Sequence, residues 1–307
     1  MIRTIHGLNE LSAGESPLCL ALGVFDGVHI GHQAVIRAAV ERALALGGLA
    51  VVVTFEPHPI QVLAPAKAPA RILASLSHKE GLLAEMGVQR LVVIEFTKDF
   101  ASGSADDFVT ALLRCGNLAS IAVGEDWQFG KGRGGNGAFL EAFGQREGVT
   151  IDLIPPVMGD GERVSSTRIR QAIRDGNLAA ASEMLGRPYS ILGKVVKGRQ
   201  LGRTIGFPTA NIEANGQQLP PTGVWAVQIK IDGQWRDGIA NLGKRPTVEQ
   251  GEVQRLLEAF VFDWEGDLYG REIEVRFADF VRGEMKFSGV EELKDQIARD
   301  VAAVKAL

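Results

Sequence analysis

The spacing of apolar residues changes character once along this chain, near Gly186-Arg187-Pro188, and that change points to two unlike domains. Upstream, short continuous apolar runs alternate with helical spacing. Strands are predicted over 18–24, 49–55, 91–96, 120–123 and 149–154. Helices are predicted over 32–46, 77–86, 106–114, 139–147, 165–175 and 178–185. Ser77 with Glu80 reads as a capping box for the second of these helices. Repeated β-α-β with uninterrupted apolar strands means a parallel sheet covered on both faces. Downstream, strands follow one another over 189–196, 223–231, 235–240, 256–263 and 272–280, with Asp232-Gly233 as a hairpin turn. One helix closes the chain, with a capping box expected from Ser288 and Glu291. Strands followed by a single helix suggest a small antiparallel barrel. The expected domains are therefore 1–186 and 187–307, which suits 307 residues better than one core would.

Composition limits the partners. Hydrophobic residues make up 46% of the chain and charged residues 23%, as in ordinary globular proteins. The net charge of -4 disfavours a polynucleotide partner, which is normally gripped by a basic surplus. Cys19 and Cys115 sit in or beside apolar runs and read as reduced, buried small hydrophobes. The first residues contain no apolar stretch of signal-peptide length. No segment approaches the roughly 18 apolar residues that would cross a bilayer. A cytoplasmic protein acting on small molecules, with no membrane partner, is expected.

One constellation belongs to the sheet domain. GVFDGVHIGH (23–32) joins the first strand to the first helix, where open parallel sheets bind ligands and a helix N-terminus favours phosphate. Gly23, Gly27 and Gly31 permit close approach to the backbone around Phe25 and Asp26, and His29 and His32 can donate to charge that develops there. The bland reading is a glycine-rich turn with two incidental histidines. VSSTRIR (164–170) opens another helix. Ser165, Ser166 and Thr167 read as caps in isolation, whereas Arg168 and Arg170 add donors suited to a triphosphate. TFEPHP (54–59) ends the second strand and supplies Phe55 and Pro57 as pocket wall. GEDWQFGKGR (124–133) ends another, offering Asp126, the aromatics Trp127 and Phe129, and the base Arg133. Four loops on one edge of one sheet make a site. The chain has no G-x-x-x-x-G-K-[ST] sequence, which excludes a P-loop NTPase.

A further constellation lies in the barrel. GRQLGRTIGFPTAN (198–211) is glycine-rich and basic. Gly198, Gly202, Gly206 and Pro208 would shape a phosphate cradle, with Thr209 and Asn211 placing oxygens on Mg²⁺. A flexible hairpin loop is the alternative. NLGKRPT (241–247) is another polar turn. Glu258 is a lone acid in the apolar run LLEAFVF (256–262), read either as a functional carboxylate or as a satisfied structural one.

Taken together, GVFDGVHIGH, TFEPHP, SSTRIR, LGRTIGFPTAN, NLGKRPT, DLYG (267–270) and RGEMKFSGVEELKDQIARD (282–300) resemble the bacterial bifunctional riboflavin kinase/FMN adenylyltransferase (FAD synthetase) family. The resemblance covers nearly the whole chain. It implies a Rossmann-like α/β nucleotidyltransferase domain followed by a six-stranded riboflavin kinase barrel with a C-terminal helix. The implied substrates are riboflavin, FMN and ATP, the products FMN and FAD, and the metal Mg²⁺. His29 and His32 would steady the transferring phosphoryl group, and Ser165, Ser166, Thr167 and Arg170 would hold the triphosphate. Phe55, Pro57, Asp126 and nearby aromatics would line the FMN pocket. Thr209 and Asn211 would bind Mg-nucleotide, and Glu258 would take the proton from the ribityl hydroxyl. The chain departs from the family's usual residues at Lys197, Trp127, Asn136, Trp225 and Phe260. Two other readings stay open at this point: an adenylyltransferase for another nucleotide-like substrate, and a non-catalytic flavin-binding protein.

Overall fold

A computed structural model of the chain describes every residue except 1, 12, 13, 15, 69, 70, 199–201, 203, 204, 215, 246–253 and 307. The chain divides into two compact units, residues 1–70 with 76–166, and residues 71–75 with 167–307.

In the first unit six parallel strands form one sheet: β1 (Arg3–His6), β2 (Leu18–Leu22), β3 (Leu49–Glu56), β4 (Arg90–Glu95), β5 (Leu118–Gly124) and β6 (Thr150–Ile154). They lie in the order β1-β4-β3-β2-β5-β6. Alternate residues of each strand feed opposite layers. Leu18, Leu20, Leu22, Val51 and Val53 pack with Val109 and Leu112 of α5 (Ala105–Leu113) and Leu140 and Phe143 of α6 (Gly137–Glu147). Ala21, Val52, Leu91 and Val93 pack instead with Val35, Ile36 and Ala39 of α1 (Ile30–Leu46) and Leu83 of α3 (Leu76–Glu85). Every residue of β2 is buried, which explains its continuous apolar run. The short helices α2 (Pro59–Leu63) and α4 (Lys98–Ser102), strand β1, and the hairpin β7–β8 (Met158–Gly159, Glu162–Arg163) are additions to the predicted elements. Helix α3 begins before Ser77, so Ser77 is not its cap, and Glu80 instead accepts the Thr4 hydroxyl at 2.6 Å.

The strand order reverses at β2. The chain runs outward through β3 and β4 on one side, then returns to place β5 on the other. The crevice beyond the ends of β2 and β5 is thus the topological switch point, where such sheets bind ligands.

The second unit contains α7 (Ser166–Arg174) from its second residue onward, α8 (Leu178–Leu185), a barrel and the final helix α9 (Val290–Lys305). The barrel strands are β9 (Ser190–Val196), β10 (Ala210–Glu213), β11 (Gly223–Ile231), β12 (Gln234–Arg245), β13 (Gln254–Val261) and β14 (Glu272–Arg282). All pairings are antiparallel, and β9 closes the barrel by pairing both β10 and β14. Asp232 (φ 53°) and Gly233 (φ 79°) make the expected β11–β12 turn. Residues 71–75 join this unit through Ile72, whose N–H reaches the Gly216 carbonyl at 3.1 Å and whose carbonyl accepts from Gln218 at 2.7 Å. Gly289 caps α9, and the expected Ser288–Glu291 box is replaced by Ser288 donating to Glu292 from its N–H (2.7 Å) and its hydroxyl (2.6 Å). Arg282 of β14 donates three hydrogen bonds of 2.7–3.0 Å to buried Asp300 of α9, tying that helix to the barrel. No described helix is long and apolar enough to cross a membrane.

Candidate active sites

The loop 23–32 leaves β2 at the switch point and turns directly into α1. Its turn needs left-handed backbone at Phe25 (φ 51°), Gly27 (φ 84°) and Val28 (φ 44°), uncommon for the two residues that are not glycine. Thr54 of β3 donates its hydroxyl to the Val24 carbonyl at 2.9 Å, and Ser166 donates to the Asp26 carbonyl at 3.0 Å. The loop is therefore held from both sides.

Buried His29 is the N-cap of α1, and its Nδ1 accepts the His32 N–H at 3.2 Å. A ring that accepts at Nδ1 carries its proton on Nε2. The His29 and His32 rings stack with centroids 3.5 Å apart and planes inclined by 17°. A Cβ on Gly31 would sit 3.2 Å from His29 Cε1 and Nδ1, tight enough to press on that ring. Burial, reinforced by His29, Lys79 and Arg163, holds the His32 pKa well below the ordinary imidazole value. His32 is consequently neutral at pH 7, and its Nδ1 is buried without a hydrogen-bond partner among the described residues. A neutral His32 stacked on His29 at a helix start suits a phosphate ligand, since its ring adds no charge that opposes the helix dipole.

Beyond the neighbouring strands lies an aromatic cluster. Phe55 of β3 meets Phe96, Phe100 and Phe108 at centroid distances of 5.9–6.5 Å. Phe108 in turn meets Trp127 and Phe129, which stack on each other at 4.5 Å. Phe96, Phe100 and Phe108 escaped the sequence reading because they lie on separate elements with no motif of their own. Asp126 accepts two hydrogen bonds from Arg163 on the β7–β8 hairpin, one of them 2.9 Å long, and that guanidinium lowers its carboxyl pKa. Pro57 and Arg133 are exposed on the same loops, as is Thr167 at the start of α7. Ser165 is half-buried. Gly23 packs so closely on the Phe25 ring that a Cβ would come within 2.9 Å of it. In the second unit, buried Arg170 donates Nε to the Arg71 carbonyl at 2.9 Å.

The barrel holds the other constellation. Asn211 lies on β10 rather than in a loop, and the register aligns Asn211, Glu258 and Asn241 across β10, β13 and β12. Residues aligned in this way share one face. All three line a cavity of about 390 Å³ with Thr209, Phe207, Phe260 and Gly202. Asn241 was read from sequence only as the start of a polar turn, and strand alternation with Glu258 would have found it. The turn expected over 241–247 is not one over Asn241–Arg245, which continue β12 and pair with β13, while Pro246 and Thr247 lie outside the described residues, as do 199–201, Arg203 and Thr204 of the glycine-rich loop. Asn211 is 5% exposed, and its Oδ1 is buried without a hydrogen-bond partner among the described residues. Gly198 packs directly on this amide, because a Cβ there would lie 2.2 Å from Nδ2. A Cβ on Gly202 would lie 2.2 Å from the Phe207 carbonyl. Gly206 adopts φ 88°, open only to glycine without strain. A neighbouring cavity of about 520 Å³ is lined by Pro208, Trp264, Leu268 and Tyr269, and Thr209 lines both cavities.

Two family profiles match the chain, FAD synthetase over residues 12–168 and riboflavin kinase over 185–307. The bifunctional riboflavin kinase/FMN adenylyltransferase of Pseudomonas fluorescens is 40% identical, covering 100% of this chain and 97% of its own. The protein of the same name from Escherichia coli K12 is 41% identical over 98% of this chain and 95% of its own. A crystal structure titled a macrolide-efflux protein, from Streptococcus pneumoniae, is similar over 100% of both chains, with a TM-score of 0.85 and 32% identity. By these full-length matches the chain belongs to the family of bifunctional riboflavin kinase/FMN adenylyltransferases.

Proposed function

We propose that the chain makes FAD in two steps on two separate sites, phosphorylating riboflavin in the barrel and adenylylating the resulting FMN at the parallel sheet. The carrying observation is the aligned row Asn211, Glu258 and Asn241 on the wall of one cavity, with Thr209 shared by the next. In this reading the flavin occupies the cavity that contains Glu258, and ATP occupies the one bounded by Pro208, Trp264 and Tyr269. Glu258 removes the proton of the ribityl hydroxyl as its oxygen attacks the γ-phosphorus, and ADP leaves with the bridging oxygen. Glycines 198, 202 and 206 let the loop backbone approach the phosphates.

Mg²⁺ fits the residues present. Asn211 Oδ1 is a buried oxygen without a hydrogen-bond partner among the described residues, and Thr209, which carries a hydroxyl, lines the same cavity. Hard oxygen donors, few in number and completed by substrate phosphates, are what this ion takes. When bound it would neutralise phosphate charge, while Thr209 and Asn211 would orient it.

At the sheet, an FMN phosphate oxygen attacks the α-phosphorus of ATP and pyrophosphate leaves. That nucleophile is already anionic and needs no base. His29 and His32 donate to the transferring group, and Ser165 and Ser166 hold the triphosphate. Phe55, Pro57, Asp126, Phe129 and Arg133 form the flavin side, with Gly23, Phe25, Asp26, Gly27 and Gly31 shaping the nucleotide loop. The adenylyltransferase domain is taken as 1–186 and the kinase domain as 187–307; the riboflavin kinase match begins at residue 185, whereas the FAD synthetase match ends at 168 and the compact units divide after Ser166. The protein acts in the cytoplasm on small molecules, with neither nucleic acid nor membrane as partner. Chromatography of riboflavin incubated with Mg-ATP tests the proposal. FMN appears first, then FAD and pyrophosphate. FMN without FAD, or flavin binding without ATP consumption, contradicts it.

A further inference from the structure

Lys79 is a buried cation that neither reaction has yet used. It sits on α3, is 4% exposed, and among the described residues has Glu56 as its one hydrogen-bond partner, with Nζ 3.4 Å from Oε1. That contact is longer than the 2.7–2.9 Å usual for charge-assisted bonds. The Glu56 side chain is itself 40% exposed and shared with solvent. An ammonium has three donors, and burying one with a single weak acceptor is costly unless something else takes up the charge.

Its place in the fold says what that is. Glu56 ends β3, two residues beyond Thr54, whose hydroxyl holds the loop that carries His29 and His32. Helix α3 packs through Leu83 in the same apolar layer as Phe25 and Val28 of that loop and Val35 and Ile36 of α1. The ammonium therefore lies at the carboxyl edge of the sheet, on the α1 side of the switch point. Its charge is felt at His32, whose Nδ1 is likewise buried without a partner among the described residues. Two buried, under-satisfied basic groups beside one helix start call for an anion.

We infer that Lys79 is a phosphate-binding residue of the adenylyl-transfer site, its ammonium leaving the Glu56 carboxylate to donate to the ATP polyphosphate when the nucleotide arrives. This rests on the reading of the 23–32 loop as that site. As the FMN oxygen bonds to the α-phosphorus, the bond to the bridging oxygen breaks and pyrophosphate departs with the electron pair. Lys79 would stabilise the negative charge gathering on that leaving group. The residue carries no recognisable motif, only SHKE within a helix, so sequence reading passed over it.

The test compares Lys79→Met with Glu56→Gln, using inorganic pyrophosphate as the binding probe and riboflavin phosphorylation as the internal control. Lys79→Met is expected to lower kcat for FAD formation by about 100-fold, the loss typical of removing one transition-state donor. Its pyrophosphate affinity falls about tenfold or more, as for one charge-assisted bond, and the kinase rate holds. Glu56→Gln is expected to keep FAD formation within about threefold and to bind pyrophosphate no more weakly than the parent, because the carboxylate competes for the ammonium. Equal losses in the two variants would make the pair a structural ion pair and overturn the inference. So would weaker pyrophosphate binding by Glu56→Gln alone, a result that stands even where Lys79→Met fails to fold. His29→Ala is assayed alongside, since FAD formation surviving that change would instead refute the site itself.

Discussion

Replacing Gly198 by alanine adds one methyl group, and the structure says where it goes. The new Cβ would lie 2.2 Å from Asn211 Nδ2, 2.5 Å from Cγ and 2.6 Å from Oδ1. The backbone there is outside the left-handed region, so alanine introduces no torsional strain and the effect is steric. Ordinary contact begins near 3.4 Å, so the amide must retreat by more than about 1 Å. A displacement of about 1 Å at a positioned group costs on the order of 100-fold in rate, or about 2.7 kcal/mol of barrier. The expected result is a loss of about 100-fold in kcat/KM for FMN formation from riboflavin and Mg-ATP. FAD formation from added FMN, at the other site, is unchanged. Repeating the substitution on an Asn211→Ala background separates the cause. If the methyl acts by displacing the amide, it costs little once that amide is gone. Gly198→Ala within about threefold of the parent, or an undiminished loss on the Asn211→Ala background, would refute the reasoning.

His32 makes the stability of the sheet unit depend on pH. Its pKa in the folded chain is held well below 6.5, so below that pH the unfolded chain binds the extra proton and the folded one does not. The unfolding midpoint should therefore fall as pH is lowered through 6.5, and His32→Gln should flatten that part of the profile; parallel profiles would contradict the burial of the ring. Asp126→Asn breaks an exposed pair with Arg163, so thermal stability should change by no more than about 1 kcal/mol. KM for FMN should rise about tenfold with the loss of one charge-assisted interaction; a large drop in stability with unchanged KM would make the pair structural.

Much of the architecture was legible because apolar period reports burial. β2 is buried on both faces and reads as a continuous run, and β11 alternates only from Val227 to Ile231, where Gln228 and Lys230 are partly exposed between buried neighbours. β10 was missed because four residues between glycine-rich and polar stretches are too few to show a period. Asn211 was consequently assigned to a loop, although its register with Glu258 on a strand is what aligns the two. Caps were less legible. Ser77 and Ser288 both stood before acidic residues, yet the Glu80 carboxylate found the distant Thr4, and Ser288 paired with Glu292, one residue further along its own helix. The loops at the sheet edge announced themselves through glycine and histidine. Arg163, Lys79 and the aromatics on α4 and α5 did not, since their approach to the site depends on how separate elements pack.

The central proposal is that each reaction has its own site on its own unit. The flavins formed by His29→Ala and by Glu258→Gln, separated chromatographically after incubation with Mg-ATP and either riboflavin or FMN, test it most directly. His29→Ala is expected to convert riboflavin to FMN and stop there. Glu258→Gln is expected to leave riboflavin unchanged yet turn FMN into FAD at the parent rate. Loss of both conversions in either folded variant would contradict separate sites.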